Sequence, residues 1–379
     1  MRLRSLVARR TRVTPSCESL ESRQLMDAAG VGSASALLDA QAAASTTQPS
    51  HSFISLLPSS PTNSFSTIPA NGDLNPYGVA KVPRGFLVTN FNNSENLQGT
   101  GTTITKVFLN GTTRTWFQAA QGFGLTDAIG VLSKGFVFVG SVPTTDGTSA
   151  TVQQGSLLVL NRFGKQIANL TNPNLLDGPW GMAVNDKGDT AQIFVSNVLN
   201  GTITRLNVSI KNGLPDITSA KQIATGYTTQ TSDSALVLGP TGMAYNAQAN
   251  VLYVASTADN AIYAIPNASS LNGPINKGIA VVQNNPNLQG PIGLAFAPNG
   301  DLLVTNGDAV NTDPNNPSLL LEFRPRGAFV NAVSLDPAEG ANFGLAVKKV
   351  GQSFWLATAN DDTNTLDIRI ASKSNLTSA

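Results

Sequence analysis

The chain contains Pro179-Trp180-Gly181-Met182-Ala183 and five more segments of the same pattern. These are Pro76-Tyr77-Gly78-Val79-Ala80, Ala128-Ile129-Gly130-Val131, Pro240-Thr241-Gly242-Met243-Ala244, Pro291-Ile292-Gly293-Leu294-Ala295 and Asn342-Phe343-Gly344-Leu345-Ala346. From glycine to glycine the steps are 52, 51, 61, 51 and 51 residues. Such regular spacing indicates one supersecondary unit copied six times.

Each repeat predicts four short strands. The glycine segment starts the first strand, and a turn leads to a second strand rich in β-branched and aromatic residues, as in Asp301-Leu302-Leu303-Val304-Thr305. The sixth repeat ends after its third strand, while Ser52-Phe53-Ile54-Ser55-Leu56-Leu57 is a spare strand at the start. We therefore predict an all-β fold, a six-bladed β-propeller of four-stranded antiparallel blades whose ring is closed by that N-terminal strand. A β-sandwich is the alternative, but it does not explain six segments in register.

Two regions differ in composition. Residues 1–50 have an arginine-rich start and then an Ala/Ser/Thr/Gln tract with nothing large to bury, so we predict a disordered or processed export segment. Residues 51–379 form the predicted propeller. The whole chain carries 24 Lys and Arg against 23 Asp and Glu, and the arginines concentrate in the first 30 residues. Because the propeller is nearly neutral, we expect no nucleic-acid partner.

Some chemistries are excluded by composition. Cys17 and His51 are the only cysteine and the only histidine, and both precede the first repeat. The repeats therefore contain no thiolate or three-histidine zinc centre and no Ser-His-Asp triad. No stretch reaches the roughly 18 apolar residues of a membrane span.

The repeat pattern resembles NHL-type propeller repeats, which are related in shape to the six-bladed TolB-like, lactonase and streptogramin-lyase groups. The resemblance covers about residues 74 to 370 and departs from the NHL pattern where Asn90, Asn197 and Asn306 replace a frequent Asp. It implies a six-bladed ring. WD40 markers are absent. Near the start, Leu20-Glu21-Ser22-Arg23-Gln24-Leu25-Met26 resembles the Leu-Glu-x-Arg element that precedes many exported proteins of planctomycete-like bacteria.

One face of the ring is the candidate site. Loops before the first strand and between the second and third strands are expected to open together around the channel. They would present an apolar collar, with Ile129 in the second blade, and a ring of amides. The ligand-binding candidates are Tyr77, Trp180, Phe343, Asn90, Asn197, Asn306 and Asn360. Aromatic and amide groups suit an uncharged sugar or peptide. In the alternative interpretation, the collar plugs the channel and the asparagines form turns.

Metal and catalytic signals are weak. Asp308 and Asp313, in a long loop, have the oxygen-rich character that Ca²⁺ prefers, and Glu339 is the glutamate expected nearest the axis. Calcium is thus the one cofactor we consider. Lactonase-like propellers hold a channel metal through Glu, Asn and Asp, so the resemblance keeps a divergent metal-dependent hydrolase or lyase as an alternative, with Asp127 and Glu339 as a carboxylate pair.

These observations favour a binding protein over an enzyme. We predict an exported binding or scaffold propeller, extracellular or in the cell envelope, that presents its loop face to a glycan, peptide or envelope partner. We expect a monomer with no membrane span. A purely structural spacer in a surface layer is a third hypothesis.

Overall fold

A computed structural model describes residues 51–372 of the chain, except 233, 308–314, 316, 317 and 339. The described residues form β-strands and two single-turn 3₁₀ helices, Ile54–Leu56 and Ser149–Thr151. The predicted N-terminal segment of residues 1–50 lies outside them, so the domain boundary stays a prediction. Among the described residues, no helix combines the length and the apolar character needed to cross a bilayer.

Six four-stranded sheets follow one another along the chain, after a first strand, β1 (Asn63–Ser66), that belongs to the last of them. Blade 1 contains β2 (Leu74–Val82), β3 (Gly85–Asn92), β4 (Thr103–Phe108) and β5 (Thr113–Gln118). Blade 2 contains β6 (Leu125–Val131), β7 (Val137–Ser141), β8 (Ser156–Leu160) and β9 (Gln166–Leu170). Blade 3 contains β10 (Pro179–Asp186), β11 (Thr190–Asn197), β12 (Thr202–Lys211) and β13 (Leu214–Thr225).

The second half repeats this order with one insertion. A hairpin of β14 (Gln230–Ser232) and β15 (Leu236–Leu238) precedes blade 4, which accounts for the longer step of 61 residues. Blade 4 contains β16 (Pro240–Asn246), β17 (Val251–Ser256), β18 (Ala261–Pro266) and β20 (Ile279–Gln283), while the short β19 (Ile275–Asn276) adds to the edge of blade 3. Blade 5 contains β21 (Pro291–Phe296), β22 (Leu302–Asn306), β23 (Ser318–Phe323) and β24 (Phe329–Asp336). Blade 6 contains β25 (Asn342–Val350), β26 (Ser353–Asn360), β27 (Thr365–Ser372) and β1.

The ring is closed by an N-terminal strand. Strand β1 pairs antiparallel with β27, from Asn63 opposite Ile368 to Ser66 opposite Thr365. The innermost strand of each blade contacts the innermost strands of both neighbouring blades, including those of blades 6 and 1. The all-β, six-bladed propeller with antiparallel blades is thus confirmed, and β1 completes the sixth blade as its outermost strand.

The prediction that the segment from Ser52 to Leu57 closes the ring was wrong. Phe53 and the 3₁₀ helix Ile54–Leu56 lie against blades 5 and 6, with Phe53 fully buried beside Leu303 and Leu356. The cause is Glu322, a buried carboxylate on β23 that accepts the backbone N–H groups of Phe53 at 2.8 Å and of Ile54 at 3.0 Å. A buried carboxylate requires such donors, so this segment caps Glu322 and the following one supplies the strand.

The repeated glycine lets neighbouring blades approach at their innermost strands. A methyl group at Gly181 would overlap the carbonyl oxygen of Thr241 in the next blade. Beside it, Ser196 Oγ accepts the Gly181 N–H and donates to Thr241 O, both at 2.8 Å. Thr89 and Thr305 bridge their blades to the next in the same way. The Thr or Ser near the end of the second strand is therefore an inter-blade bridge.

Blade 2 departs from the others through a bulge. Three residues, Thr126, Asp127 and Ala128, lie between the pairs Leu125–Ser141 and Ile129–Val139. In blade 1 only Tyr77 and Gly78 lie between the corresponding pairs, Pro76–Asn90 and Val79–Val88. Ile129 therefore corresponds to Val79, and its predicted place in the collar was wrong. The collar position of blade 2 belongs to the bulge and to Asp127, and bulges commonly redirect a side chain.

Candidate functional site

A cavity of about 400 Å³ opens on the loop face, the end of the ring where each innermost strand begins. The residues at its base come from five innermost strands and from β3: Tyr77, Phe91, Trp180, Thr241, Ile292 and Phe343. The hairpin β14–β15 contributes Val237 and Leu238 to one wall. Its volume lies within the range of pockets that hold small ligands. We call it the loop-face cavity.

Four aromatic rings form the base, and we call them the aromatic floor: Tyr77, Phe91, Trp180 and Phe343. Tyr77 stacks on Phe343 with ring centroids 4.5 Å apart and meets Trp180 edge-on at 5.8 Å. Phe91 meets Trp180 edge-on at 5.3 Å. Since each residue is at most 6% exposed, the four rings pack tightly against one another and close this end of the channel.

The structure brings together the three aromatic candidates, Tyr77, Trp180 and Phe343. Phe91, which directly follows Asn90 at the end of a second strand, was not among the predicted residues. The wall from the hairpin β14–β15, for which the longer repeat step was the available signal, was not predicted either.

The rim is polar, and among the described residues it carries no cation. It contains Asn75, Asn92, Asn96, Gln98, Asp361, Asp362 and Asn364. Asn92 Nδ2 donates to Asn96 Oδ1 at 2.8 Å, and the Asn75 N–H donates to Asn364 Oδ1 at 2.7 Å. Within the described residues, however, no partner exists for Asn75 Oδ1, Asn92 Oδ1 or Trp180 Nε1. Two acceptors and one donor beside the cavity therefore have hydrogen-bonding capacity to spare.

The four asparagines predicted for the site lie buried within the blades and do not line the cavity. Asn90, Asn197, Asn306 and Asn360 are buried, and none borders the loop-face cavity. Asn197 Nδ2 donates to Leu175 O at 3.1 Å, and its Oδ1 accepts the Asp177 N–H at 3.2 Å. Asn306 holds the loop at residues 287–289 in the same way, Asn90 donates to Thr67 O, and Asn360 donates to Asp336. These amides fasten the connections that enter each blade.

The metal candidates Asp308, Asp313 and Glu339 lie outside the described residues, and so does any pairing of Glu339 with Asp127. Within the part of the chain that the structure describes, no three His, Cys, Asp or Glu side chains lie together as metal ligands. A calcium site therefore stays a prediction.

Asp127 itself lies in the bulge of β6 and does not line the loop-face cavity. Its Oδ1 approaches the innermost strand of blade 6, where a methyl group at Gly344 would meet it at 2.7 Å. Among the described residues, no hydrogen bond or ion pair is found for its carboxyl group. Burial raises the pKa of Asp127 to about 8. The bulge of blade 2 thus holds a carboxylic acid that is mostly protonated at neutral pH.

No protein-family model and no curated protein sequence matches the chain. Solved structures do resemble it in fold. A protein assigned as a glucose dehydrogenase, from Thermus thermophilus, is 14% identical with a TM-score of 0.50, over 81% of this chain and 99% of that chain. A luciferin-regenerating enzyme is 9% identical with a TM-score of 0.51, over 82% and 95%. A gluconolactonase from Xanthomonas campestris is 12% identical with a TM-score of 0.50, over 83% and 97%. At these identities the likeness shows the propeller fold and does not extend to an activity.

Proposed function

We propose that this protein is an exported, non-catalytic binding propeller that holds a neutral saccharide of a glycan partner in the loop-face cavity. The observation that carries the proposal is the aromatic floor beside Asn75 Oδ1 and Asn92 Oδ1, two acceptors without partners among the described residues. Aromatic rings pack against the C–H groups of a sugar, and amide oxygens accept hydrogen bonds from its hydroxyl groups.

The charge of the rim narrows the ligand class. Asp361 and Asp362 border the cavity, and no Lys or Arg of the part that the structure describes does. An anionic ligand would meet two carboxylates without a compensating cation, which is unfavourable. A neutral saccharide avoids this repulsion, and its hydroxyl groups donate to the asparagine acceptors.

The test is binding of neutral glycans, first on an array and then by calorimetry with the best ligand. Asn92→Ala removes one rim acceptor and is expected to lower affinity about ten-fold, the size of one buried hydrogen bond. Asn110→Ala is the matched control, because Asn110 is exposed in the turn between β4 and β5. Equal affinities for the two variants, or no glycan bound at all, would contradict the proposal.

Export to the extracellular space or the cell envelope rests on the arginine-rich start and the Leu-Glu-x-Arg element. Fractionation of cells that express the full chain tests this part separately. Recovery in the cytoplasm alone would remove it and leave the saccharide proposal standing.

A hydrolase of the lactone or ester type is the second candidate function, and Asp127 is the observation that favours it. A carboxylic acid with a pKa of about 8 is suited to donate a proton at neutral pH. This candidate predicts turnover of simple lactones that Asp127→Asn abolishes. Turnover that survives the substitution would exclude Asp127 as the acid.

A further inference from the structure

A second cavity, of about 690 Å³, lies on the face of the ring opposite the loop face. It is bounded by the turn that joins β2 to β3, the turn that joins β6 to β7, and the end of β25. Its charged lining residues are Lys81, Lys106, Lys134, Arg162, Lys348 and Asp186. We call it the basic cleft, because five cations and one carboxylate line it.

One carboxylate cannot balance five cations. Asp186 accepts the backbone N–H of Ser133 and, at 2.8 Å, that of Gly188, so its oxygens are engaged by the main chain. Lys134 pairs with Asp189 at 2.8 Å outside the cleft. Within the described residues no ion pair is found for the other four cations, Lys81, Lys106, Arg162 and Lys348.

Concentrating four cations in one cleft is unfavourable unless an anion joins them. The pKa of Lys348 is lowered by burial and then by Lys81, and that of Lys106 by burial and then by Arg114 and Arg84. The chain as a whole is nearly neutral, with 24 basic and 23 acidic residues. General basicity therefore does not explain the cluster.

The remaining lining selects among anions. Trp116, Leu87, Val131 and Val137 give the cleft an apolar wall, against which a ring can pack. Most of the polar side chains are Lys or Arg, which donate hydrogen bonds and accept none. A nucleobase needs acceptors as well as donors along its edge, whereas the carboxylate and sulfate oxygens of an acidic sugar are matched by donors alone.

We propose that the basic cleft binds an acidic saccharide, whose sulfate or carboxylate groups contact Lys81, Lys106, Arg162 and Lys348 while its ring packs on Trp116. This site lies on the other face from the loop-face cavity and is proposed to bind an acidic ligand instead of a neutral one. It therefore stands whether or not the neutral saccharide of the proposed function binds.

The test is calorimetric titration of the full chain with a sulfated disaccharide, its unsulfated counterpart and ATP. We expect binding of the sulfated sugar that weakens as salt rises, because solvent-exposed charges are screened. Replacing Lys106 and Arg162 together by Gln is expected to lower its affinity about 20-fold, as two partly exposed charge contacts of up to about five-fold each. Lys349→Gln is the matched control, since Lys349 is exposed on β25 and does not line the cleft.

Three results would overturn the proposal: equal binding of the unsulfated sugar, tighter binding of ATP, or equal loss of affinity in Lys349→Gln. Thermal unfolding of each variant shows that the fold is kept. If the paired variant unfolds at a lower temperature than the wild type, Lys81→Gln alone replaces it, because Lys81 is exposed at the mouth of the cleft. Its loss is expected to weaken binding about three-fold.

Discussion

Replacing Asp127 by Asn is expected to change how the stability of the propeller depends on pH. The folded pKa of Asp127 is about 8, above the ordinary value of 3.8, because the carboxyl group is buried. Between these two values the folded chain keeps a proton that the unfolded chain has lost. The free energy of unfolding therefore falls as pH rises, and this contribution of Asp127 is fully present only below pH 4.

The magnitude follows from the shift. One titrating group contributes at most about 1.4 kcal/mol per pH unit, hence up to about 2.7 kcal/mol between pH 5 and pH 7. Asp127 is half-buried, and its partial exposure lowers this ceiling because solvent screens the charge. Asp301, whose pKa burial raises to about 7, acts in the same direction, so the comparison must be between wild type and Asp127→Asn.

The assay is urea denaturation at half-unit steps from pH 4.5 to 8.5. We expect Asp127→Asn to lose less stability than the wild type as pH rises, so that the two curves diverge steadily. Asp216→Asn, which removes an exposed carboxylate, is the matched control. Parallel curves for wild type and Asp127→Asn would show that the pKa of Asp127 is not raised in the folded protein. A carboxyl carbon NMR titration of Asp127 with its midpoint near pH 4 would show the same.

Two further substitutions test how the ring is held together. Gly181→Ala forces a methyl group onto the carbonyl of Thr241 and is expected to lower the free energy of unfolding by about 2 kcal/mol. Its control, Gly273→Ala, has open space around it and should change this free energy by less than about 0.5 kcal/mol. Equal effects of the two substitutions would show that blade spacing does not require the glycine. Glu322→Gln leaves only one acceptor for the N–H groups of Phe53 and Ile54 and is expected to cost about 3 kcal/mol in urea denaturation. A loss below about 0.5 kcal/mol would mean that the cap on Glu322 does not secure the N-terminal segment.

The fold was predictable because its evidence is periodic. In five of the blades the glycine segment lies at or near the start of the innermost strand, and the deficit of one strand in the last repeat correctly requires an N-terminal strand. Which segment closes the ring was not predictable from local pattern. Phe53 to Leu57 is as apolar as a strand, and its helical turn depends on Glu322, some 269 residues away.

The candidate site was predictable only where it belongs to the repeat. Tyr77, Trp180 and Phe343 occupy the same place in their segments and meet at the floor. Asp127 was hard to place, because one inserted residue in blade 2 hardly changes the repeat spacing. The basic cleft had no signal along the chain, since its cations come from separate strands and turns and meet only when the ring closes.

The chain contains three tryptophans, and each reports on a different place: Trp116 in the basic cleft, Trp180 in the aromatic floor and Trp355 in blade 6. The most direct test of saccharide binding at the loop face is therefore the indole N–H spectrum of ¹⁵N-labelled protein during titration with a neutral glycan. We predict that the Trp180 signal shifts and saturates during the titration, while the signals of Trp116 and Trp355 stay in place. A titration that leaves Trp180 unchanged, or that moves only Trp116, would contradict this prediction.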